Sequence, residues 1–360
     1  MSVISSLPII DLTPFLTPTS TLSEKQEIAK ALYTACHDVG FFYLTGHGVP
    51  EELQNEVLEA AREFFMTATQ EEKQALERKE IDEGGDGARG WQKLGENITM
   101  GSGDWHEALD YYHPPLSDTS SGPPYDIVQG PNPWPEKPPH FRSLYEAYIA
   151  GLHTVGHALL RAMSLALSST EDLFTPHLTS PFWCLRAIGY PPLPATSPGI
   201  SCGAHTDYGC TTFLLADETR GALEVRDKQG GWIGVDPLKG AYVVNIGDML
   251  EVWTNGLWKS TVHRVVHRGT GFRVSVPFFF EPDWDARVEP LQCCLEKTGG
   301  VRKYEAKVYG LENYSQTLIH GLDLELVLSK EVLDMFCNFC PSACNFYHAL
   351  VFGPVSPQSV

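Results

Sequence analysis

The stretch Gly203-Ala204-His205-Thr206-Asp207-Tyr208-Gly209 decides the fold when read with Ser260-Thr261-Val262-His263-Arg264-Val265 and Arg273-Val274-Ser275 downstream. In an extended strand residues i and i+2 point the same way, so His205 and Asp207 can address one metal ion. His263 has to arrive from another strand, and the residues between are numerous enough to cross a sheet several times. Two histidines and one carboxylate are the ligand set of a non-haem Fe(II) site that keeps positions open for O2 and a second oxidant. Gly203 and Gly209 bracket the pair and allow the sharp turn that ends such a strand. Further on, Arg273, Ser275, Pro277 and Phe279 share one strand face, and a guanidinium fork beside a hydroxyl suits a carboxylate. A His-x-Asp pair alone also arises as an N-cap aspartate beside a surface histidine. The distal histidine and the Arg-x-Ser turn the reading towards metal.

Composition narrows the partners. The formal charge of −19, from 26 basic against 45 acidic residues, argues against nucleic acid or an anionic membrane, both of which need a basic face. No stretch approaches the length of a membrane span, and Met1 to Leu7 run into strand-like Pro8-Ile9-Ile10-Asp11 without a leader pattern. Nine scattered cysteines form no small-domain framework and fit a reducing cytoplasm.

Residues 7–12 read as a strand, 21–39 as an amphipathic helix opened by Ser23 and Glu24, and 40–44 as a buried strand. Helices follow at 51–66 and 69–78. Gly84-Gly85-Asp86-Gly87 is a loop, not a phosphate cradle, because no strand precedes it and no Lys-Ser/Thr follows. Residues 114–139 form a Pro- and Gly-rich connector in which Trp134 packs. Residues 141–167 carry a wide apolar stripe (Phe141, Leu144, Tyr148, Leu152, Leu159, Met163) and form the longest helix. His153 and His157 lie one turn apart in it and read as packing or surface histidines. From 182 to 282 short strands at 184–190, 211–216, 222–225, 232–235, 241–246 and 273–280 imply a sandwich or barrel. An irregular segment follows, then helices near 302–311 and 325–336. The chain divides into 1–120, 121–168, 169–290 and 291–360.

From Pro8 to about Leu318 this order of motifs resembles the isopenicillin N synthase-like branch of the Fe(II)/2-oxoglutarate-dependent oxygenases. The resemblance rests on Pro8-Ile9-Ile10-Asp11-Leu12, the run from Gly40 to Val49, Arg89-Gly90-Trp91, Asn132-Pro133-Trp134-Pro135, Arg186 to Pro192, Val244-Asn245-Ile246-Gly247-Asp248, and the three stretches quoted first. It is most similar to microbial small-molecule members, including thymine-hydroxylase-like proteins. The resemblance implies an α+β chain with a mainly β core, a double-stranded β-helix (jelly roll) with flanking N-terminal and C-terminal helices. It implies that His205, Asp207 and His263 hold Fe(II). Arg273 and Ser275, with the Tyr190 hydroxyl, would hold the distal carboxylate of 2-oxoglutarate, and O2 is the oxidant. Many plant-type members have Asn two residues before that tyrosine; here Ile188 takes the place.

The expected activity is oxidation, by hydroxylation or desaturation, of a small organic molecule in specialised metabolism. Two other readings share these residues: an O2-dependent oxidase or cyclase of the same fold that does without 2-oxoglutarate, and a catalytically idle binding member. By parity and adjacency Tyr208, Phe279 and Arg186 are candidates for the substrate pocket, each equally suited to core packing, with Trp91 and Phe182 behind them. Residues 320–360 depart from the family pattern. Cys337, Cys340, Cys344 and His348 follow helical spacing and read as a helix with inert cysteines, although a break at Pro341 leaves zinc open.

Overall fold

Period-two alternation builds two facing sheets. In the computed structural model, which describes residues 7–79, 83, 85–99, 101–114, 130–194 and 200–310, the large sheet comprises eight strands. These are β1 (Ile9–Asp11), β2 (Phe41–Thr45), β3 (Gly90–Gln92), β6 (Glu107–Tyr112), β7 (Pro181–Tyr190), β9 (Thr211–Ala216), β12 (Tyr242–Ile246) and β14 (Arg273–Asp283). Their spatial order is β1-β2-β12-β9-β14-β7-β6-β3. The small sheet has β8 (Cys202–His205), β10 (Leu223–Arg226), β11 (Trp232–Val235) and β13 (His263–Val265), in the order β11-β10-β13-β8. Two-stranded ribbons β4 (Ile98–Thr99) with β5 (Ser102–Gly103), and β15 (Arg287–Val288) with β16 (Lys307–Val308), complete the β structure. The crossovers between non-consecutive neighbours make this the jelly roll that the motif order implies.

Helices cover one face of the large sheet. They are α1 (Thr13–Leu16), α2 (Leu22–Asp38), α3 (Glu51–Thr67), α4 (Gln70–Gln74), α5 (Phe141–Ala166), α6 (Asp248–Trp253) and α7 (Gln292–Lys297). The apolar stripe of α5 packs with Val274, Val276, Phe278 and Phe280 of β14 in the main core. His153 and His157 lie edge-on to Phe280 at 5.7 and 5.3 Å, so they are packing histidines. Trp134 stacks on Tyr111 with ring centroids 4.2 Å apart. The opposite face of the large sheet meets the small one through two apolar clusters. Phe41, Val243, Leu223, Val225 and Val235 form one; Ala108, Ile188, Tyr190, Ala222 and Val265 form the other.

Several local expectations need correcting. Helix α2 opens at Thr21, whose side chain forms a reciprocal capping box with Glu24, so Ser23 is not the cap. Residues 302–308 are not helical: 301–306 lack regular structure and Lys307–Val308 pairs with β15. The irregular segment after Pro282 contains α7. The helix expected at 325–336 and the cluster Cys337, Cys340, Cys344 and His348 lie outside the described residues.

Candidate metal centre and carboxylate site

Strand register brings the metal set together. β13 pairs antiparallel with β8 so that His263 lies opposite His205, with ring centroids 4.3 Å apart. Asp207 lies two residues beyond His205, and its Oδ1 is 3.7 Å from His205 Nε2 and 3.6 Å from His263 Nε2. The tautomers suit a metal. His205 Nδ1 lies 2.8 Å from the Gly203 carbonyl and His263 Nδ1 lies 3.1 Å from the Thr261 carbonyl. Each Nδ1–H can therefore donate to backbone, leaving the Nε2 lone pairs directed at Asp207. Burial, aided by His205, pushes the His263 imidazole down to about 4, so it is neutral and able to ligate.

Asp207 is oriented through its other oxygen. Asn245 Nδ2 donates to Oδ2 at 2.7 Å and Thr212 Oγ1 at 2.5 Å. Burial opposes the charge, but the two imidazoles and these two donors outweigh it and hold the carboxyl below its ordinary value. Neither donor was singled out for this role from the sequence. Asn245 sits inside a motif noted only for resemblance, and Thr212 carries no sequence signal.

The bracketing glycines matter for a different reason than expected. Neither Gly203 nor Gly209 is among the glycines with positive φ. A Cβ on Gly209 would fall 1.8 Å from either Glu281 carboxylate oxygen, and one on Gly203 would fall 2.4 Å from Thr99 Cγ2. Close approach, not turn geometry, demands glycine here. Glu281 is 3 % exposed, accepts the Cys210 N–H at 2.7 Å, and has no cation partner among the described residues. Burial pushes its carboxyl up to about 8.

Arg273 and Ser275 face the small sheet, opposite Val274 and Val276. Arg273 is only 2 % exposed, donates from Nη1 to Ser275 Oγ at 3.4 Å, and lies 4.6 Å over the Tyr190 ring, its cross-strand neighbour. Its Nε has no hydrogen-bond partner, and no carboxylate pairs with it among the described residues. A buried guanidinium with unfilled donors is costly unless an anion completes it. Arg273 also borders a cavity of about 530 Å3 lined by Leu214, Val243, Glu51, Asp217 and Lys239 among others, and by none of the metal set. Arg273, Ser275 and Tyr190 fit a bound carboxylate, as the two imidazole Nε2 atoms and the Asp207 oxygen fit Fe(II). Ile188, in the position where many relatives carry Asn, packs in the apolar cluster instead.

The pocket candidates separate. Arg186 is held by Asp110 (Nε to Oδ1, 2.7 Å) and Gln92 (Nη2 to Oε1, 3.3 Å), with 22 % of its side chain exposed. Tyr208 is half-buried next to Asp207, its phenol pushed up to about 12 by burial and then by Asp248 and Asp207. Phe279 is half-buried on the face of β14 that carries Arg273. Trp91 does not belong with them, because it lies in the main core and donates from Nε1 to Glu107 at 2.9 Å. Phe182 packs on Trp284 at 4.4 Å in the same core.

Comparison with known proteins agrees with this geometry. Residues 7–137 match the model of the non-haem dioxygenase N-terminal region named for morphine synthesis, and residues 181–282 match the 2OG-Fe(II) oxygenase superfamily. A homoarginine-6-hydroxylase of Oryza sativa is 40 % identical over 315 residues, covering 85 % of this chain and 94 % of that protein. One from Glycine max is 38 % identical, covering 89 % and 98 %. A full-length Neurospora crassa protein, crystallised in complex with α-ketoglutarate, superposes with a TM-score of 0.75 at 25 % identity, over 88 % of this chain and 98 % of that one. The chain belongs to the 2OG-Fe(II) oxygenases, and it is an Fe(II)- and 2-oxoglutarate-dependent dioxygenase that oxidises a small organic molecule.

Proposed function

We propose that His205, Asp207 and His263 hold Fe(II), that Arg273 and Ser275 with the Tyr190 hydroxyl hold the distal carboxylate of 2-oxoglutarate, and that the substrate is a small basic amino or guanidino acid. When bound, the metal and 2-oxoglutarate couple O2 to oxidation of a substrate C–H bond, releasing succinate and CO2. The chain's own part is placement. Arg273 offers a planar fork that matches a carboxylate through two parallel donors, which lysine cannot do. Asn245 and Thr212 fix the Asp207 rotamer, so the oxygen facing the two imidazoles is always the same one. Tyr208 and Phe279 flank the substrate, and Arg186, oriented by Asp110 and Gln92, meets its carboxylate.

One observation carries the substrate class: Glu281, a buried carboxyl on the Arg273 face of β14, beside Gly209 and without a cation. A cationic substrate group would complete it, as the homoarginine hydroxylases among the relatives suggest. A role in specialised metabolism within the cytoplasm belongs to the same reading. The six cysteines described as free support a reducing compartment. No described helix is long and apolar enough to cross a membrane.

The test is substrate-stimulated turnover. Protein loaded anaerobically with Fe(II) and 2-oxoglutarate is exposed to O2 with homoarginine, arginine, lysine or thymine, and succinate is followed. The basic amino acids should accelerate succinate release, and Glu281→Gln should reduce that stimulation while leaving slow uncoupled turnover. Stimulation by thymine alone contradicts the substrate class.

A further inference from the structure

A second cluster of metal-ligating side chains adjoins His205. Asp104, His106 and Cys202 each offer one ligand atom, and these atoms lie within 4.8 Å of one another. The cluster forms because the chain before β6 crosses the start of β8. Asp104 Oδ1 accepts the Gly203 N–H at 2.9 Å, and His106 Nδ1 lies 2.8 Å from the Ser201 carbonyl. His106 and Asp104 are each 2 % exposed, and Cys202 is half-buried.

His106 supplies an independent sign that a ligand belongs here. With Nδ1–H donating to Ser201, its Nε2 is a lone pair facing inward. That atom is buried with no hydrogen-bond partner. His205 and His263 likewise set Nδ1 on a backbone carbonyl, which leaves Nε2 free for a metal.

The other two donors retain capacity. Asp104 Oδ2 accepts Asn97 Nδ2 at 2.5 Å and Thr99 Oγ1 at 2.7 Å, whereas Oδ1 accepts one bond, and each oxygen has two lone pairs. The Cys202 sulfur lies 3.9 Å from His205 Nδ1, but that nitrogen is already committed to Gly203. The sulfur packs at the edge of the second apolar cluster and keeps its lone pairs for a soft cation.

The geometry points to Asp104, His106 and Cys202 as a second metal site, taking a thiophilic divalent cation of the zinc class. One imidazole, one thiolate and one carboxylate are ligands that zinc accepts, with a fourth position left for water. A hard ion such as Mg(II) has no use for the sulfur. An occupied site would clamp the β8 strand to the segment before β6 and thereby support the strand that carries His205.

Cobalt(II) tests the site because thiolate coordination produces an intense near-ultraviolet charge-transfer absorption that a bis-imidazole carboxylate site cannot produce. Full-length protein is stripped with chelator under anaerobic conditions and titrated with Co(II). The expected result is two equivalents bound per chain, with the thiolate band, which Zn(II) then bleaches. Cys202→Ser and His106→Ala should each remove the band and one equivalent. His263→Ala should remove the other equivalent and leave the band. Cys202→Ser is nearly isosteric, so its effect does not depend on how His106→Ala folds. A single equivalent without the band in the wild type, or a band that survives Cys202→Ser or His106→Ala, overturns the proposal.

Discussion

The two faces of β14 place opposite demands on one strand. Val274, Val276, Phe278 and Phe280 point into the helix-covered core. Arg273, Ser275, Phe279 and Glu281, interleaved with them, point towards the small sheet and the iron ligands. The first face is satisfied by apolar volume alone. The second holds a guanidinium and a carboxyl at 2 % and 3 % exposure, without a counter-ion for either among the described residues. Strain of that kind persists where bound groups complete it. Stability and chemistry are thus separated by strand parity, and substitutions on the two faces should fail in different ways.

The largest effect belongs to the ligands. Asp207→Ala should reduce Fe(II)-dependent succinate formation to background, with the fold intact by circular dichroism; activity close to wild type in that variant would break the separation. On the core face, Phe280→Ala should cost roughly 3–5 kcal/mol of stability through the cavity it leaves against α5. Denaturant melts would show this, while folded protein keeps its KM for 2-oxoglutarate. Arg273→Lys should leave the melting point nearly unchanged and weaken 2-oxoglutarate by about 2 kcal/mol, or roughly thirtyfold, because one arm of the fork is lost. Asn245→Ala releases one donor from Asp207 and should weaken Fe(II) on the order of tenfold, as read by metal titration.

The smallest effect is a pH dependence. Glu281 has its carboxyl raised to about 8 in the folded protein, against about 4.3 when unfolded. Between these values the folded state binds the extra proton, so this group's contribution to stability falls as pH rises and levels off above about 8. Glu281→Gln lacks that loss. Its melting point relative to wild type should therefore climb from pH 5 to pH 8, and a bound cationic substrate should narrow the gap. A constant difference across that range would place Glu281 in water and remove it from the site.

Much of this was legible from sequence because strands expose their parity. His205 with Asp207, and Arg273 with Ser275, are i, i+2 pairs, and a face can be read from the residues alone. The long stripe of α5 is equally plain, and its ends at Phe141 and Ala166 lie close to those expected. What sequence could not show were partners supplied by other strands. β6 escaped notice because both its faces are buried, and Asp110 looks like a surface residue until Arg186 is placed opposite it. Thr212 and Asn245 are single polar residues in apolar runs, and only the β9–β12 register puts them side by side. Charged residues 302–308 resemble a solvated helix, yet only Lys307 and Val308 take regular structure, paired with β15.

The central claim is that one face of the barrel gathers His205, Asp207 and His263 around Fe(II) with Arg273 placed for 2-oxoglutarate. The most direct measurement is an anaerobic titration of protein and Fe(II) with 2-oxoglutarate, following the visible metal-to-ligand charge-transfer absorption of the chelate. The band should saturate at one equivalent in wild type, vanish in Asp207→Ala, and require far more 2-oxoglutarate in Arg273→Lys. A band of undiminished strength in Asp207→Ala, or an unchanged titration midpoint in Arg273→Lys, would contradict the account.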